Sequence, residues 1–140
     1  MDRYYYGEQI NNFIFYRVPK ALFSDENYKS LSTDAKVLYG LMLDRMVLST
    51  RNEWKDKNGR VYIYYPVDEI MDEMGCCKQK AVNLLDEMEK TADLIERKKQ
   101  GMGKPNRIYV KRLDVAAPQF ENDTSGSAKM TLDKYEKWTS

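Results

Sequence analysis

The sequence predicts an α+β domain in which a few helices alternate with short strands. Its 140 residues are close to the length of one domain, and 42% apolar residues suffice for a single core. Apolar residues at helical spacing predict three helices, while β-branched and aromatic runs between turn residues predict strands. The predicted order is helix 32–49, strand 61–65, helix 66–74, helix 77–91, strand 94–99 and strand 107–112. This is the order of a winged helix-turn-helix, preceded here by an aromatic N-terminal strand or arm.

The first long helix is predicted from a capping residue and an apolar stripe. Ser32 is a good N-cap, and Asp34 suits the positive end of the helix dipole. The apolar residues that recur on one face are Ala35, Leu38, Tyr39, Met42 and Met46. A polar segment with an Asn58-Gly59 turn signal then separates this helix from the aromatic strand 61–65.

Two further helices follow, and a tight turn joins them. The apolar side of helix 66–74 consists of Val67, Ile70, Met71 and Met74. Gly75 is expected to end this helix. The apolar face of helix 77–91 consists of Cys77, Ala81, Leu84, Leu85 and Met88. Each helix therefore has one side suited to burial, as a packed helix-turn-helix requires.

The two last strands predict a hairpin around the glycine-containing loop 100–106. Residues 97–113 carry seven cationic side chains and no acidic one, although the net charge of the whole chain is only +1. This local excess of positive charge predicts a surface for an anionic partner.

Composition divides the chain into a domain and a tail. Residues 1–113 are predicted to form the winged-helix domain. Residues 114–140 are predicted to be a linker or tail, or a connection to a C-terminal domain. At the other end, the stretch 13–18 predicts a strand or an extended arm, and the aromatic arm from Tyr4 to Tyr16 is our candidate for dimer contacts.

Several classes of function are disfavoured by the residue content. Histidine is absent, which removes the commonest general base and metal ligand. The only cysteines, Cys76 and Cys77, are adjacent and predict packing or turn roles rather than a disulfide or a zinc site. The spacing of the acids in helix 66–74 favours a solvated face over a metal site. With no P-loop or nucleophile–base pair, we expect no catalysis and no cofactor.

The sequence also predicts where the protein works. No apolar run approaches the roughly 20 residues that span a bilayer. The first residues lack the pattern of a secretory signal. We therefore expect a cytoplasmic protein without a membrane partner.

The start of helix 77–91 and the hairpin together predict a site for double-stranded DNA. In a helix-turn-helix, the second helix lies in the major groove with its N-terminal residues nearest the base edges. The residues predicted there are Lys78, Gln79, Lys80 and Asn83. Glutamine and asparagine read adenine with two hydrogen bonds, and lysine contacts guanine or phosphate. On the hairpin, the predicted contacts to phosphates or the minor groove are Lys98, Lys99, Lys104 and Arg107.

Each of these features has a purely structural alternative. Lysines at the start of an exposed helix are often only solvated, and lysines on an edge strand protect it from aggregation. The two features together, in the order of a helix-turn-helix, favour DNA binding. Two other uses of the same fold stay open, namely a transcriptional regulator and a winged helix that contacts another protein.

Five stretches of the chain carry a family resemblance. They are YYYGEQINNFIFYRVPKALF (4–23), YKSLSTDAKVLYGLMLDRMVLS (28–49), GRVYIYYPVDEIM (59–71), KAVNLLDEME (80–89) and LIERKKQGMGKPNRIYVK (94–111). Together they resemble the N-terminal domain of the replication initiator protein A (RepA) family of Gram-positive plasmids.

The resemblance implies a specific function for the domain. It implies a winged helix that binds repeated sites at a plasmid replication origin, generally as a homodimer. It also implies that host replication proteins are engaged by a separate C-terminal domain, which we expect to lie outside this chain. The residues that it assigns to recognition are Lys78, Gln79, Lys80 and Asn83, and those that it assigns to the wing are Lys98, Lys99 and Lys104.

Overall fold

The structure, a computed structural model, describes residues 2–7 and 14–115. The helices are α1 (Ala21–Ser24), α2 (Thr33–Arg51), α3 (Val67–Met74) and α4 (Lys78–Asp86), and α4 continues as a π-helical turn over Glu87–Thr91. The strands are β1 (Ile95–Lys98) and β2 (Arg107–Val110). This arrangement is the winged helix-turn-helix that the sequence predicts, and the three longer helices lie within two residues of their predicted starts.

The core lies between α2, α4 and the hairpin. Its fully enclosed members include Leu38, Met42, Ile63, Ile70, Met88, Leu94 and Ile95. Burying one such side chain contributes about 1.5–3 kcal/mol relative to leaving it exposed. The helix α3 contributes only one buried residue, Ile70, and otherwise packs half-exposed against α4. The helix pair that carries the candidate site is therefore anchored mainly through α4.

The start of α2 is tied to the end of α4. The Ser32 hydroxyl accepts a hydrogen bond from the Ala35 backbone N–H at 3.1 Å, which confirms Ser32 as the N-cap. The Glu87 carboxylate accepts hydrogen bonds from the Ser32 hydroxyl at 2.7 Å and from its backbone N–H at 2.8 Å. The two bonds to Glu87 join the start of α2 to the end of α4.

The turn between α3 and α4 depends on Gly75, as predicted. This residue has φ 66°, in the left-handed region that favours glycine. The next backbone N–H, of Cys76, donates to the carbonyl of Met71 at 3.1 Å and closes the end of α3. The prediction that Cys77 belongs to the buried face of the helix is wrong. Cys77 precedes α4 in an extended conformation, so helical spacing does not apply to it, and it is exposed.

The wing is an antiparallel hairpin of β1 and β2 in which Ile95 pairs with Val110 and Lys98 with Arg107. The predicted strand 61–65 is reduced to isolated pairings. Ile63 exchanges two hydrogen bonds with Ile108, at 2.8 and 2.9 Å, but the Tyr62 N–H donates to the carbonyl of Trp54 instead. Because its bonds alternate between β2 and the preceding loop, this segment forms no continuous ladder.

The N-terminal segment 14–18 is an arm and forms no strand, so the strand alternative is wrong for these residues. Phe13 lies outside the described residues. The end of the arm passes close to α2, where a Cβ atom added to Gly40 would lie 2.7 Å from Val18 Cγ2 and 2.9 Å from the Arg17 carbonyl oxygen. Ile14 is fully exposed. The last residues of the arm therefore lie against α2.

The C-terminal end of the described chain returns to the core. Leu113 and Val115 pack against it, and the Asp114 backbone N–H donates to the Tyr28 hydroxyl at 2.6 Å. The predicted linker or tail, 114–140, lies outside the described residues from 116 onward, and the boundary at 113 stays a prediction.

Candidate nucleic-acid interface

The first turns of α4 present the predicted recognition residues to solvent. Lys78, Gln79, Lys80 and Asn83 are all exposed. The Gln79 side-chain Nε2 donates to Asn83 Oδ1 at 2.9 Å, so the two amides lie side by side, one helical turn apart. This leaves Gln79 with a free acceptor oxygen and Asn83 with free N–H donors. An acceptor and a donor held together are what recognition of adenine in the major groove requires.

Lys80 has a partner that sequence reasoning missed. Its ammonium lies 3.0 Å from the Asp34 carboxylate at the start of α2. The hydrogen bond to Asp34 raises the pKa of Lys80. Asp34 therefore offsets the positive charge that Lys80 offers to a phosphate. The sequence indicates only a helix-dipole role for Asp34, because no local pattern relates it to α4.

The wing presents three of its predicted cations freely. Lys98, Lys99 and Lys104 are exposed, and the tip residue Met102 is 98% exposed. Gln100 holds the two sides of the loop together. Its Nε2 donates to the Pro105 carbonyl at 2.9 Å, and its Oε1 accepts from Arg107 Nε at 3.0 Å. The loop is therefore shaped before any ligand arrives.

Arg107 is half-buried at the base of this loop. Its guanidinium carbon lies 4.4 Å from the centre of the Tyr62 ring. A cation over an aromatic face is attracted by the ring quadrupole. With Gln100 on its Nε, the guanidinium is fixed in direction and can meet a phosphate with little loss of side-chain freedom.

Two cations of the basic segment are already paired. Arg97 donates to Asp86 and to Glu89, both at 2.7 Å, and Lys111 donates to Asp93 at 2.7 Å. The acids of these pairs come from α4 and the turn after it, because the basic segment itself has none. The Arg97 contacts also join the wing to the far half of α4.

The turn at 55–60 forms a feature that sequence reasoning missed. A cleft of about 370 Å³ lies between Lys55, Lys57 and Asn58 of this turn and Lys98, Arg107 and Tyr109 of the wing. The sequence shows this turn only as a polar segment, although its lysines at alternate positions are a weak signal. The fold places it beside the wing because Ile63 pairs with Ile108.

The acids of α3 bind an arginine. Glu69 and Glu73 accept hydrogen bonds from Arg45 Nη2, at 2.8 and 2.6 Å, and Arg45 lies over the ring of Tyr65. Within residues 2–7 and 14–115, no group of three or more potential ligands is arranged to hold a metal ion. No helix in these ranges is long and apolar enough to cross a membrane.

The geometry and the sequence together define a class of protein. A helix-turn-helix with an exposed amide pair and a cationic wing is characteristic of DNA-binding winged helices. The profile of the family described as replication initiator protein A (RepA) N-terminus matches residues 14–122. The chain therefore belongs to this family, which confirms the resemblance.

One relative matches most of the chain. The chain is 30% identical over 120 residues to a 41 kDa protein of Lactobacillus helveticus, and the match covers 85% of this chain and 34% of that protein. The chain therefore spans about a third of the length of this relative.

Three solved structures share the fold. One is described as the N-terminal domain of a DNA-binding protein (29% identical, TM-score 0.70, covering 97% of this chain and 96% of the other). A second is the structure of a Rep–DNA complex (28%, 0.69, 96% and 95%). A third is the structure of an MDR initiator (28%, 0.67, 96% and 98%).

Proposed function

We propose that this chain binds double-stranded DNA sequence-specifically at a plasmid replication origin, as the N-terminal part of an initiator. One observation carries the proposal. In a member of the RepA N-terminal family, the start of α4 holds an ordered pair of amides, and a preformed wing beside it exposes three lysines. The similarity to the chain of a Rep–DNA complex supports the same conclusion.

Each group has a distinct task in this proposal. Gln79 and Asn83 read a base edge in the major groove, while Lys78 contacts a neighbouring guanine or phosphate. The cations of the wing neutralise phosphates or enter the minor groove, which orients the domain without reading sequence; they are Lys98, Lys99, Lys104 and Arg107. Lys80 contributes less than Lys78, because Asp34 already neutralises it.

The remaining parts of the proposal concern assembly. The exposed aromatic arm, with Tyr4 81% and Tyr16 56% exposed, suits contact with a second copy of the chain in a homodimer. Host replication proteins would be engaged by a part of the initiator outside this chain, consistent with a relative of which this chain covers only 34%. The domain itself would work without catalysis or cofactor, in the cytoplasm where plasmid DNA lies. Sedimentation of the free and DNA-bound protein tests the dimer, and a nicking assay with magnesium tests the absence of catalysis.

The test of DNA binding uses two variants with opposite expectations. The protein is titrated against origin repeats and against a scrambled duplex, at several salt concentrations. The double variant Gln79→Ala/Asn83→Ala is expected to lower discrimination by about 1–3 kcal/mol for each base that it no longer reads. The double variant Lys98→Gln/Lys99→Gln is expected to weaken both duplexes alike and to lower the salt slope by about 0.9 for each phosphate that it no longer neutralises.

Two results would contradict the proposal. If the unmodified protein prefers neither duplex at moderate salt, sequence-specific binding is wrong. If both double variants bind as the unmodified protein does, the placement of α4 and the wing on DNA is wrong.

A further inference from the structure

The cleft between the turn 55–60 and the wing carries an excess of positive charge. Lys55, Lys57, Lys98 and Arg107 line it, together with one acid, Asp56. Within the described parts of the chain, Lys55, Lys57 and Lys98 have no ion-pair partner, whereas several other basic residues near the hairpin do. The cleft therefore gathers cations that the described fold leaves without an acid.

The one acid of the cleft is occupied within its own turn. Asp56 Oδ1 accepts hydrogen bonds from the backbone N–H groups of Asn58 and Arg60, at 2.8 and 2.9 Å. Its other oxygen accepts from the Tyr109 hydroxyl at 3.0 Å. The N–H of Arg60 in particular lowers the pKa of this carboxyl, although partial desolvation opposes the shift. The carboxylate thus shapes the turn and attaches it to β2, and it forms no ion pair with the lysines of the cleft.

Two contacts within residues 54–64 and one ring contact with β2 hold the turn beside the wing. Lys55 forms a bridge with Val61. Trp54 and Tyr64 meet edge to face with their ring centres 5.2 Å apart, and Tyr62 packs in the same way on Tyr109 at 6.0 Å. These contacts hold the backbone of the turn beside β2, and the Tyr62 ring and Gln100 hold the Arg107 guanidinium at the cleft.

We infer that this cleft binds a backbone phosphate of DNA that flanks the recognised site, so that the turn 55–60 is a third contact element beside α4 and the wing. The inference rests on the proposed function. Lys98 and Arg107 belong both to the predicted wing contacts and to the cleft. A DNA backbone that contacts the wing therefore continues into the cleft. A guanidinium fixed by an aromatic ring, next to ammonium groups, suits the charge and geometry of a phosphate.

The test compares two variants with the same change in charge. Lys55→Gln/Lys57→Gln removes two cations of the cleft. Lys29→Gln/Lys90→Gln is the matched control, because both of its residues are exposed and neither lines the cleft or belongs to the basic segment 97–113. Affinity is measured against an origin duplex with long flanks and against duplexes whose flanks are shortened stepwise, with thermal unfolding as a check on folding.

The expected result depends on the length of the DNA. With long flanks, the cleft variant should bind roughly 3- to 10-fold more weakly, and its salt slope should fall by about 0.9 for each phosphate that it no longer neutralises. The ratio of affinities for the correct and scrambled duplexes should stay unchanged, since phosphate contacts carry no sequence information. On the shortest duplex that still binds, the cleft variant and the unmodified protein should be equal. The control variant should follow the unmodified protein throughout.

Three outcomes overturn the inference while leaving the proposed function intact. In the first, the cleft variant binds long DNA as tightly as the control variant does. In the second, the cleft variant loses the same factor of affinity on every duplex length. In the third, inorganic phosphate or a mononucleotide shifts the amide NMR signals of the turn to saturation, but the cleft variant binds DNA as the unmodified protein does. In the last case the cleft takes a free phosphate. Failure of the unmodified protein to bind DNA is a separate result, which refutes the proposed function itself.

Discussion

Replacing Arg97 by glutamine tests whether this cation stabilises the fold, in contrast to its neighbours that are proposed to bind DNA. Arg97 lies in the basic segment with Lys98 and Lys99, but its guanidinium donates to Asp86 and Glu89 at 2.7 Å each. Its backbone N–H also donates to Glu89, at 3.1 Å. We therefore expect Arg97→Gln to lower the stability of the domain and to leave the salt dependence of DNA binding unchanged.

The size of the effect follows from the exposure of the pair. The side chains of Arg97 and Glu89 are 24% and 26% exposed, so their attraction is only partly screened by solvent. A hydrogen bond between charged groups contributes about 1.5–3 kcal/mol, and a fully exposed pair less than about 1 kcal/mol. For this pair we expect a coupling free energy of about 1–2 kcal/mol. Each kcal/mol of lost stability lowers the melting temperature by about 4–8 °C.

The effect should depend on pH in a defined direction. The hydrogen bond from Arg97 lowers the pKa of Asp86 below its ordinary 3.8. Desolvation acts to raise the pKa of Glu89, but the hydrogen bonds from Arg97 outweigh it, so the pKa lies below 4.5. A carboxyl whose pKa is lowered by folding stabilises the folded state above its ordinary pKa and loses this contribution as the pH falls. The difference in free energy of unfolding between Arg97→Gln and the unmodified protein should be largest above about pH 5 and should decrease as the pH falls below this value.

The assay is a double-mutant cycle. Urea unfolding of the unmodified protein, Arg97→Gln, Glu89→Gln and the double variant gives the coupling free energy, at about pH 7 and again at about pH 3.5. DNA titrations of the same four proteins give the salt slope. A coupling near zero at neutral pH, or a salt slope that falls as it does for Lys98→Gln/Lys99→Gln, would refute the assignment of Arg97 to the fold.

Two further predictions concern the framework that positions the site. Ile63→Ala removes a fully buried side chain next to the pairing with β2, so the free energy of unfolding should fall by about 2–5 kcal/mol; a decrease below about 1 kcal/mol in urea titration would mean that this segment does not anchor the wing. Gly75→Ala introduces a Cβ with no atom within 4 Å, so its cost is conformational, because φ is +66°. It should destabilise by about 1–2 kcal/mol, and Gly75→Asn, which tolerates this region better, should cost less; equal stability of all three would contradict this.

The local patterns of the sequence predicted the helical framework well. The apolar spacing placed α2, α3 and α4, and Ser32 and Gly75 marked one start and one end, because capping and helical periodicity depend only on near neighbours. The hairpin was predicted for the same reason. The strand at 61–65 was overestimated, since its partners in hydrogen bonding lie in two different parts of the chain.

The candidate site could be predicted only in part from these local patterns. The sequence alone identified the exposed residues at the start of α4 and on the wing. It did not reveal that Asp34 neutralises Lys80 or that Gln100 ties the wing loop together. The residues that make these contacts are not related by a helical or strand repeat, so no sequence pattern predicts that they meet.

Local composition and spacing are enough to predict the order of the elements, the family and the residue types available to a partner. Which charges remain available to that partner depends on the tertiary packing. Packing brought Asp86 and Glu89 to Arg97, and it brought the turn at 55–60 beside the wing, with its two lysines among the cleft's cations. A charge is neutralised by oppositely charged groups within a few ångströms of it, and the folded chain sets those distances.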